Sequence, residues 1–547
     1  MRTIIYSVVA AATMALAGVS SAFAQGHIII VNANAPGVGF NDPTPAAPVG
    51  GNNGTTLGEQ RLNVFAFAAN IWEQTLQPRT DIFVIAQFAP LGANVLGSAG
   101  ATFVFRNFAG AEYPDTWYTS AEADHLAGVD LNPGFADIQA TFATAFPFYF
   151  GFDGNEGALT DLLPVVLHEL GHGLGFANFA NEQTGTLLQG GKDIYSQYTV
   201  DVTTNKLWND MTDAERQASA INVRKVSWSG INVKKDVPKV LSPGEPFVRI
   251  NGASPQLLSF GTAAFGNPLT PAGITGDVAL VNDGVGATTD ACEPIPAGSL
   301  AGKVALLDRG VCTFVVKVKN AQDAGAIAVL AADNVLADPP AGLGGADPTI
   351  TIPSGRITLP AGNAIKAALA TGTVNVTLGL DMSILAGTDR VKGLMMVAAL
   401  NPVALGSSIS HWDTAATRNQ LMEPAINVDL TSTVTPPIDL TSSQMTDIGW
   451  FSDGDGVPDG VDNCIGSDTR PTVIIGTCNS KAGNDIQANG CTIADDVDQC
   501  ALDFPNKPLH YLACVAHKTD DLRVKRVITG KEQAGIIVCT ILNGLRH

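Results

Sequence analysis

Two imidazoles and a carboxylate fall within one helical turn at His168-Glu169-Leu170-Gly171-His172. Positions four apart on a helix lie one above the other, so His168 and His172 can offer both rings to one zinc ion, Zn2+. Glu169, next to the first ring, can reach a water at that metal. This is the equipment of metal-assisted hydrolysis, with the carboxylate as general base. A catalytic zinc usually keeps three protein ligands and one open position, so a third side chain must arrive from elsewhere in the chain.

The elements that must hold these groups are legible around them. Val165, Val166, Leu167, Leu170 and Leu174 give a helix that buries itself and leaves a His/Glu edge for a cleft. Thr160 or Asp161 is the expected N-cap, Pro164 falls in the first turn where it is tolerated, and Gly173 and Gly175 are expected to end the helix. Upstream, His27 to Val31 reads as a strand and Asp81 to Phe88 as another. Leu57 to Leu76 reads as a helix whose apolar side runs through Leu62, Phe65, Ala69 and Trp72. Ala136 to Phe146 reads as a further strand, expected to be the edge along which an extended peptide would lie. Together they predict an α+β half-domain. Asp193 to Tyr198 and Lys206 to Trp208 are expected as strands or covering loops.

Composition narrows the class. The 547 residues are 46% hydrophobic and 15% charged, with a formal net charge of −20, which describes buried globular domains and argues against nucleic acid or an anionic membrane as partner. Arg2, the apolar run Ile4 to Leu16 and the small-residue end Ala22-Phe23-Ala24 predict a signal peptide over residues 1–24, cleaved before Gln25. No later segment is long and apolar enough for stable membrane insertion, so a secreted or envelope location is expected. Eight cysteines in an exported chain predict disulfides. Cys292 and Cys312 stand alone in the middle and form the expected central pair; six more crowd the C-terminus, and their fifteen possible pairings stay open.

With His168, Glu169, His172 and Gly175 in place, the chain resembles the metzincin pattern H-E-x-x-H-x-x-G-x-x-H, except that Asn178 stands at the last position. Leishmanolysin-like metzincins carry an insertion before the third histidine, and the later Ser410-His411-Trp412-Asp413 followed by Leu421-Met422-Glu423-Pro424 resembles their third ligand and Met-turn. The resemblance implies zinc on His168, His172 and His411, with Met422 beneath the metal and a closing helix over Thr441 to Trp450. Asn178, Glu182 and Glu215 remain the other candidates for third ligand; Glu215 is a rival because gluzincins take a glutamate from a downstream helix.

The insertion closely resembles the protease-associated (PA) domain. Gly302-Lys303-Val304-Ala305-Leu306-Leu307-Asp308-Arg309-Gly310-Val311-Cys312-Thr313-Phe314 carries the likeness, with a helix expected from Lys317 to Ala324 and a buried strand from Gly325 to Leu330. Ile352 to Ser354 and Leu359 to Ile365 fit its later strand and helix. The resemblance implies a structural role for Asp308 and Arg309. Past Trp450, Asp453, Asp455, Asp459 and Asp462 alternate with glycines before Asn463-Cys464, a stretch similar to a thrombospondin type 3 repeat, which implies a structural calcium ion, Ca2+.

The domain order expected is thus a first metzincin-like part over residues 25–239, a PA insertion over 240–383, a second part over 384–451 bearing His411 and Met422, a calcium loop over 452–466, and a cysteine-rich region over 467–547. The fold class is α+β: a metzincin-like protease domain split by a PA domain, with a small calcium-binding tail. The expected function is a secreted zinc-dependent endopeptidase acting on proteins or peptides. The alternative is a non-catalytic adhesion protein with a vestigial metal site, against which the intact Glu169 argues.

Overall fold

The computed structural model describes residues 26–426, 430–451, 457–464, 466–468, 470–505 and 507–544; the expected signal peptide lies outside them. Strand β1 (Ile28–Asn32) runs parallel to β2 (Ile82–Ala89), with Ile28 opposite Ile82. Parallel neighbours need a crossover, and helix α1 (Leu57–Leu76) supplies it. A capping box starts α1: Glu59 N–H donates to Thr56 Oγ1 and Thr56 N–H donates back to the Glu59 carboxylate. Its buried side is Val64, Phe65, Ala68, Ala69, Trp72 and Leu76, whereas Leu62, expected in the core, is 38% exposed. Burying each large side chain there contributes about 1.5–3 kcal/mol.

The sheet is completed by β3 (Gly97–Ala101) and the strand Ile138–Ala143, in the order β1, β2, Ile138–Ala143, β3. This corrects the sequence expectation. The Ile138–Ala143 strand is interior, parallel to β2 on one side and antiparallel to β3 on the other, so β3 is the edge. Gly-Ser-Ala-Gly-Ala carries no β-branched or aromatic signal; pairing makes it a strand, not propensity.

Helix α2 (Ser120–Ala127) precedes the interior strand, and helix α3 (Leu162–Leu174) follows it. Asp161 caps α3 by accepting the Leu163 N–H at 3.0 Å. Every residue of α3 except His168 is buried, as expected of a helix apolar on all sides but its His168, Glu169 and His172 edge. Gly173 continues the helix instead of ending it; a Cβ there would come within 2.5 Å of Ile138 Cγ2, so glycine lets helix and sheet close together. The turn comes at Gly175, with φ of 133°. Trp72 Nε1–H donates to Leu167 O at 3.0 Å, tying α1 to α3. Residues Ile194–Tyr198, expected as strand or loop, form one helical turn capped by Asp193.

The insertion leaves and re-enters the first domain at one point, because Ala386 N–H donates to Ser242 O at 2.9 Å. Joined ends explain how a long insert costs the host little. Between them an eight-stranded sheet includes Pro243–Ile250, Asn375–Leu385, Ile274–Leu280, Val304–Asp308, Ala328–Ala332 and Ser354–Ile357, with apolar clusters on both faces. Helices Phe314–Asp323 and Leu359–Leu369 cover it. Cys292 and Cys312 are bonded. Asp308 pairs with Lys366 and Arg309 with Asp333, which accounts for both as structural ion pairs.

Thr441–Asp447 is helical, and Met445, Ile448 and Trp450 are buried against the first domain. The tail is a hairpin (Thr472–Ile475 and Cys478–Gly483) with helices Ile493–Asp503, Pro508–Val524 and Gly530–Gly544 around a small core of its own. Disulfides Cys464–Cys491, Cys478–Cys539 and Cys500–Cys514 staple it, which a core this small needs. Among the described residues no helix is long and apolar enough to cross a membrane.

Candidate metal centre

The histidine expected from the far side of the insertion stands beside the two on α3. His168 Nε2 lies 3.1 Å from His172 Nε2 and 3.2 Å from His411 Nε2, and the last two are 3.2 Å apart. Each Nδ1 faces a backbone carbonyl: His168 to Leu421 O at 2.7 Å, His172 to Phe176 O at 2.7 Å and His411 to Ser407 O at 2.9 Å. A carbonyl only accepts, so each ring carries its proton on Nδ1 and the three Nε2 atoms present lone pairs to one another. None can then donate to the others, and three converging lone pairs repel unless a cation sits among them. Zinc bound tetrahedrally at 2.0–2.1 Å places its ligand nitrogens about 3.3 Å apart, close to the triangle seen here.

The electrostatics suit neutral rings. Burial lowers the His172 pKa to about 3, with the His168 charge adding and Phe176 O opposing. Burial also lowers His168 and takes His411 well below its usual value. Glu169, 8% exposed, is pushed up to about 7 by burial, opposed by the Ala99 N–H on β3. A dication held by the three rings would pull it back down.

Three pieces of the chain fix this geometry. Met422 is fully buried, its carbonyl accepts Trp412 N–H at 2.8 Å, and a Cβ on Gly171 would lie 2.8 Å from its Sδ. The Met422 turn therefore sits against α3 at Gly171 and supplies the Leu421 carbonyl that orients His168. Asn178 does not replace a histidine. Its Nδ2 donates to Ser410 Oγ at 2.8 Å and to Glu182 Oε1 at 2.9 Å, pinning the residue before His411. Glu215 caps its own helix with Thr212 and pairs with Lys206. Tyr195 Oη–H donates to Ile409 O at 2.9 Å, a support for the His411 segment that sequence reading missed.

A cleft of about 680 Å³ opens onto the histidines. One wall is Asn94 to Ala99, the lead-in and start of β3; the other includes Leu405, Ser407, Leu421, Pro424 and Ile426. The β3 wall was also missed, since glycine and alanine give no strand signal. Its approach to the carboxylate is tight: a Cβ on Gly97 would meet Glu169 Cγ at 2.9 Å and Phe142 Cε1 at 3.0 Å.

Other acidic groups sort differently. Asp283, Asp290 and Glu293 gather in the inserted domain, where the fully buried Lys317 already supplies positive charge, its ammonium 3.9 Å from Asp290 Oδ2. Of the expected calcium ligands, Asp453 and Asp455 lie outside the described residues. Asp459 and Asp462 are each 1% exposed, and the Asp459 carbonyl accepts Asn232 Nδ2–H at 3.1 Å, so this loop is fastened to the first domain.

Residues 274–365 match the PA domain family. Vacuolar-sorting receptor 3 of Arabidopsis thaliana is 41% identical over 96 residues, which are 16% of this chain and 15% of that one. The probable lipoprotein aminopeptidase LpqL of Mycobacterium tuberculosis is 32% identical over 109 residues, 20% of this chain and 21% of that one. This chain thus spans about a fifth or less of the curated relatives it matches. Among solved structures, an aminopeptidase from Aneurinibacillus sp. strain AM-1 shares 23% identity over 26% of this chain and 31% of its own, with a TM-score of 0.19, too low to define a common fold.

Proposed function

We propose that this chain is an exported zinc endopeptidase of metzincin type, with His168, His172 and His411 as metal ligands and Glu169 as general base. The observation that carries the reading is the convergence of three Nε2 lone pairs, each ring oriented by a carbonyl, with a carboxylate at the same cleft. When bound there, zinc supplies a Lewis acid that polarises a peptide carbonyl and acidifies water. Glu169 takes the proton of the attacking water on its carboxylate and hands it to the departing amine nitrogen. The free edge of β3 orients an extended substrate through main-chain hydrogen bonds. Val95, Leu96, Leu405 and Ile426 offer apolar surface to side chains flanking the scissile bond. Asp338 of the inserted domain and Asn401 exchange backbone hydrogen bonds at 2.8 Å, which ties the insert to the returning segment that leads to the lining residue Leu405. A structural calcium ion at Asp453, Asp455, Asp459 and Asp462 completes the reading.

The test is cleavage of an internal bond in a peptide blocked at its N-terminus. Hydrolysis should stop with 1,10-phenanthroline and return with zinc but not with calcium alone. Cleavage confined to peptides with a free N-terminus would replace the endopeptidase with an aminopeptidase. No cleavage of any peptide by zinc-loaded protein would favour the adhesion alternative.

A second expectation concerns Gly97. Gly97→Ala drives a methyl into Glu169 and Phe142, so kcat should fall by roughly tenfold to a hundredfold, the cost of misplacing a catalytic group by under an ångström. Zinc content should stay at the wild-type value. An unchanged kcat would show that β3 does not position the base.

A further inference from the structure

In the inserted domain the fully buried Lys317, on helix Phe314–Asp323, has no carboxylate in contact with it. Its ammonium stands 3.9 Å from Asp290 Oδ2 and donates instead to Asp290 O and, at 3.2 Å, to Cys292 Sγ. Cys312 N–H donates to the same sulfur at 3.3 Å. Cys292 Sγ is one half of the Cys292–Cys312 bridge, so a buried positive charge and an amide N–H converge on one atom of that bond. A disulfide sulfur is a weak, neutral acceptor and offsets little of the several kcal/mol that desolvating an ammonium costs. A thiolate in its place is a full counter-ion at contact distance.

An independent sign is that the bridge is not the only fastening of its loop. Lys317 Nζ–H donates to Asp290 O, and Asn320 Nδ2–H donates to Ala291 O at 3.0 Å, so two hydrogen bonds from one helix hold the residues before Cys292 without the sulfur bond. Access differs too. Both cysteines are half-buried and Val311, beside Cys312, is 99% exposed, whereas each tail bridge has one cysteine exposed by 6% or less: Cys491, Cys539 and Cys500.

We propose that Cys292–Cys312 is a thiol-exchange site, which a low-molecular-weight thiol opens reversibly with Cys292 as the leaving sulfur. The thiolate of one reagent molecule attacks Cys312 Sγ, and the electron pair of the S–S bond departs with Cys292 Sγ, where Lys317 and the Cys312 N–H hold it. A second reagent thiolate then attacks the reagent sulfur of the mixed disulfide and displaces Cys312. Two electrons pass to the bridge and the reagent leaves as its own disulfide. Of the two reagent protons, one ends on Cys312 and one in solvent, because Cys292 stays a thiolate. Exchange is faster and lies further toward the open form the better the leaving thiolate is stabilised. Burial lowers the Lys317 pKa, while the charges of Asp290, Asp283, Asp308 and Glu293 favour the ammonium. Those carboxylates oppose a negative charge on Cys292. The ammonium and the N–H outweigh them because, among the described residues, they alone hydrogen-bond to the sulfur.

The experiment equilibrates the full zinc-loaded chain in graded glutathione redox buffers, traps thiols with iodoacetamide and reads each cysteine by peptide mass spectrometry. Cys292 and Cys312 should open in buffers that leave the three tail bridges closed, with a native far-ultraviolet circular dichroism spectrum. Once open, Cys292 should be alkylated at least about tenfold faster than Cys312 at about pH 6, where an ordinary thiol is under about 1% ionised. Lys317→Met keeps the length of the side chain without its charge. It should abolish that difference in rate and shift the exchange equilibrium at least about tenfold toward the closed bridge. The alkylation rates of the unsubstituted chain decide the matter even if this variant fails to fold. Equal rates for the two thiols, or a bridge that opens no sooner than those of the tail, would overturn the site and leave a purely structural disulfide. Neither readout depends on peptide hydrolysis, so this test and that of the protease reading fail independently.

Discussion

Glu169→Gln should keep zinc at the wild-type level and lower kcat on a blocked peptide by about 10² to 10⁴, the usual worth of a general base. Glutamine has nearly the shape of glutamate, so the close packing against Gly97 and the Ala99 N–H is preserved. What it lacks is a lone pair basic enough to hold a proton. The three ring nitrogens are untouched, and each keeps its carbonyl partner. Metal analysis beside steady-state kinetics checks the pair of outcomes. A variant retaining a tenth or more of wild-type kcat would remove Glu169 from the proton transfer. A variant that lost zinc would show that the carboxylate belongs to the ligand set.

His411→Ala should lose both metal and hydrolysis. One of three converging nitrogens disappears, so zinc affinity should fall at least about a hundredfold, since several kcal/mol of the binding free energy go with each ligand. The residues nearest in role are already committed: Asn178 to Ser410 and Glu182, and Glu215 to Lys206 and Thr212. The effect has to be separated from collapse of the His411 segment, which Tyr195 and Asn178 hold independently of the ring. Near-ultraviolet circular dichroism serves here, because Trp412 packs on Phe176 with ring centroids 4.9 Å apart and its environment reports that segment. A native-like spectrum with no zinc is the expected result. Full zinc occupancy and full activity would mean that His411 is no ligand and that the third donor must be sought elsewhere.

These two experiments address opposite sides of one arrangement. The histidine on the far side of the insert is useful only because the chain leaves at Ser242 and returns at Ala386, hydrogen-bonded neighbours, so the inserted domain adds mass without separating the halves. The returning segment then supplies a ring, a carbonyl for another ring, and a methionine against Gly171.

The amino-acid order determined what is local. A pair of histidines four apart can share a metal on any helix, apolar flanks bury such a helix, and Leu57 to Leu76 is amphipathic enough to fold where it was read, with Phe65, Ala69 and Trp72 buried as expected and Leu62 alone of the four exposed. The signature around Gly302 to Phe314 likewise identified the inserted domain, because its turns and disulfide need those residue types. Only the tertiary structure decided which strand borders the cleft, since β3 has no propensity of its own and exists by pairing with Ile138–Ala143. It alone paired the six terminal cysteines, a choice among contacts that no spacing encodes. It also brought the Leu421 carbonyl to His168 across 253 residues of sequence separation. Lone-pair direction depends on which acceptor meets the opposite nitrogen, and that acceptor is a backbone atom identical in every residue, so side-chain order carries no trace of it.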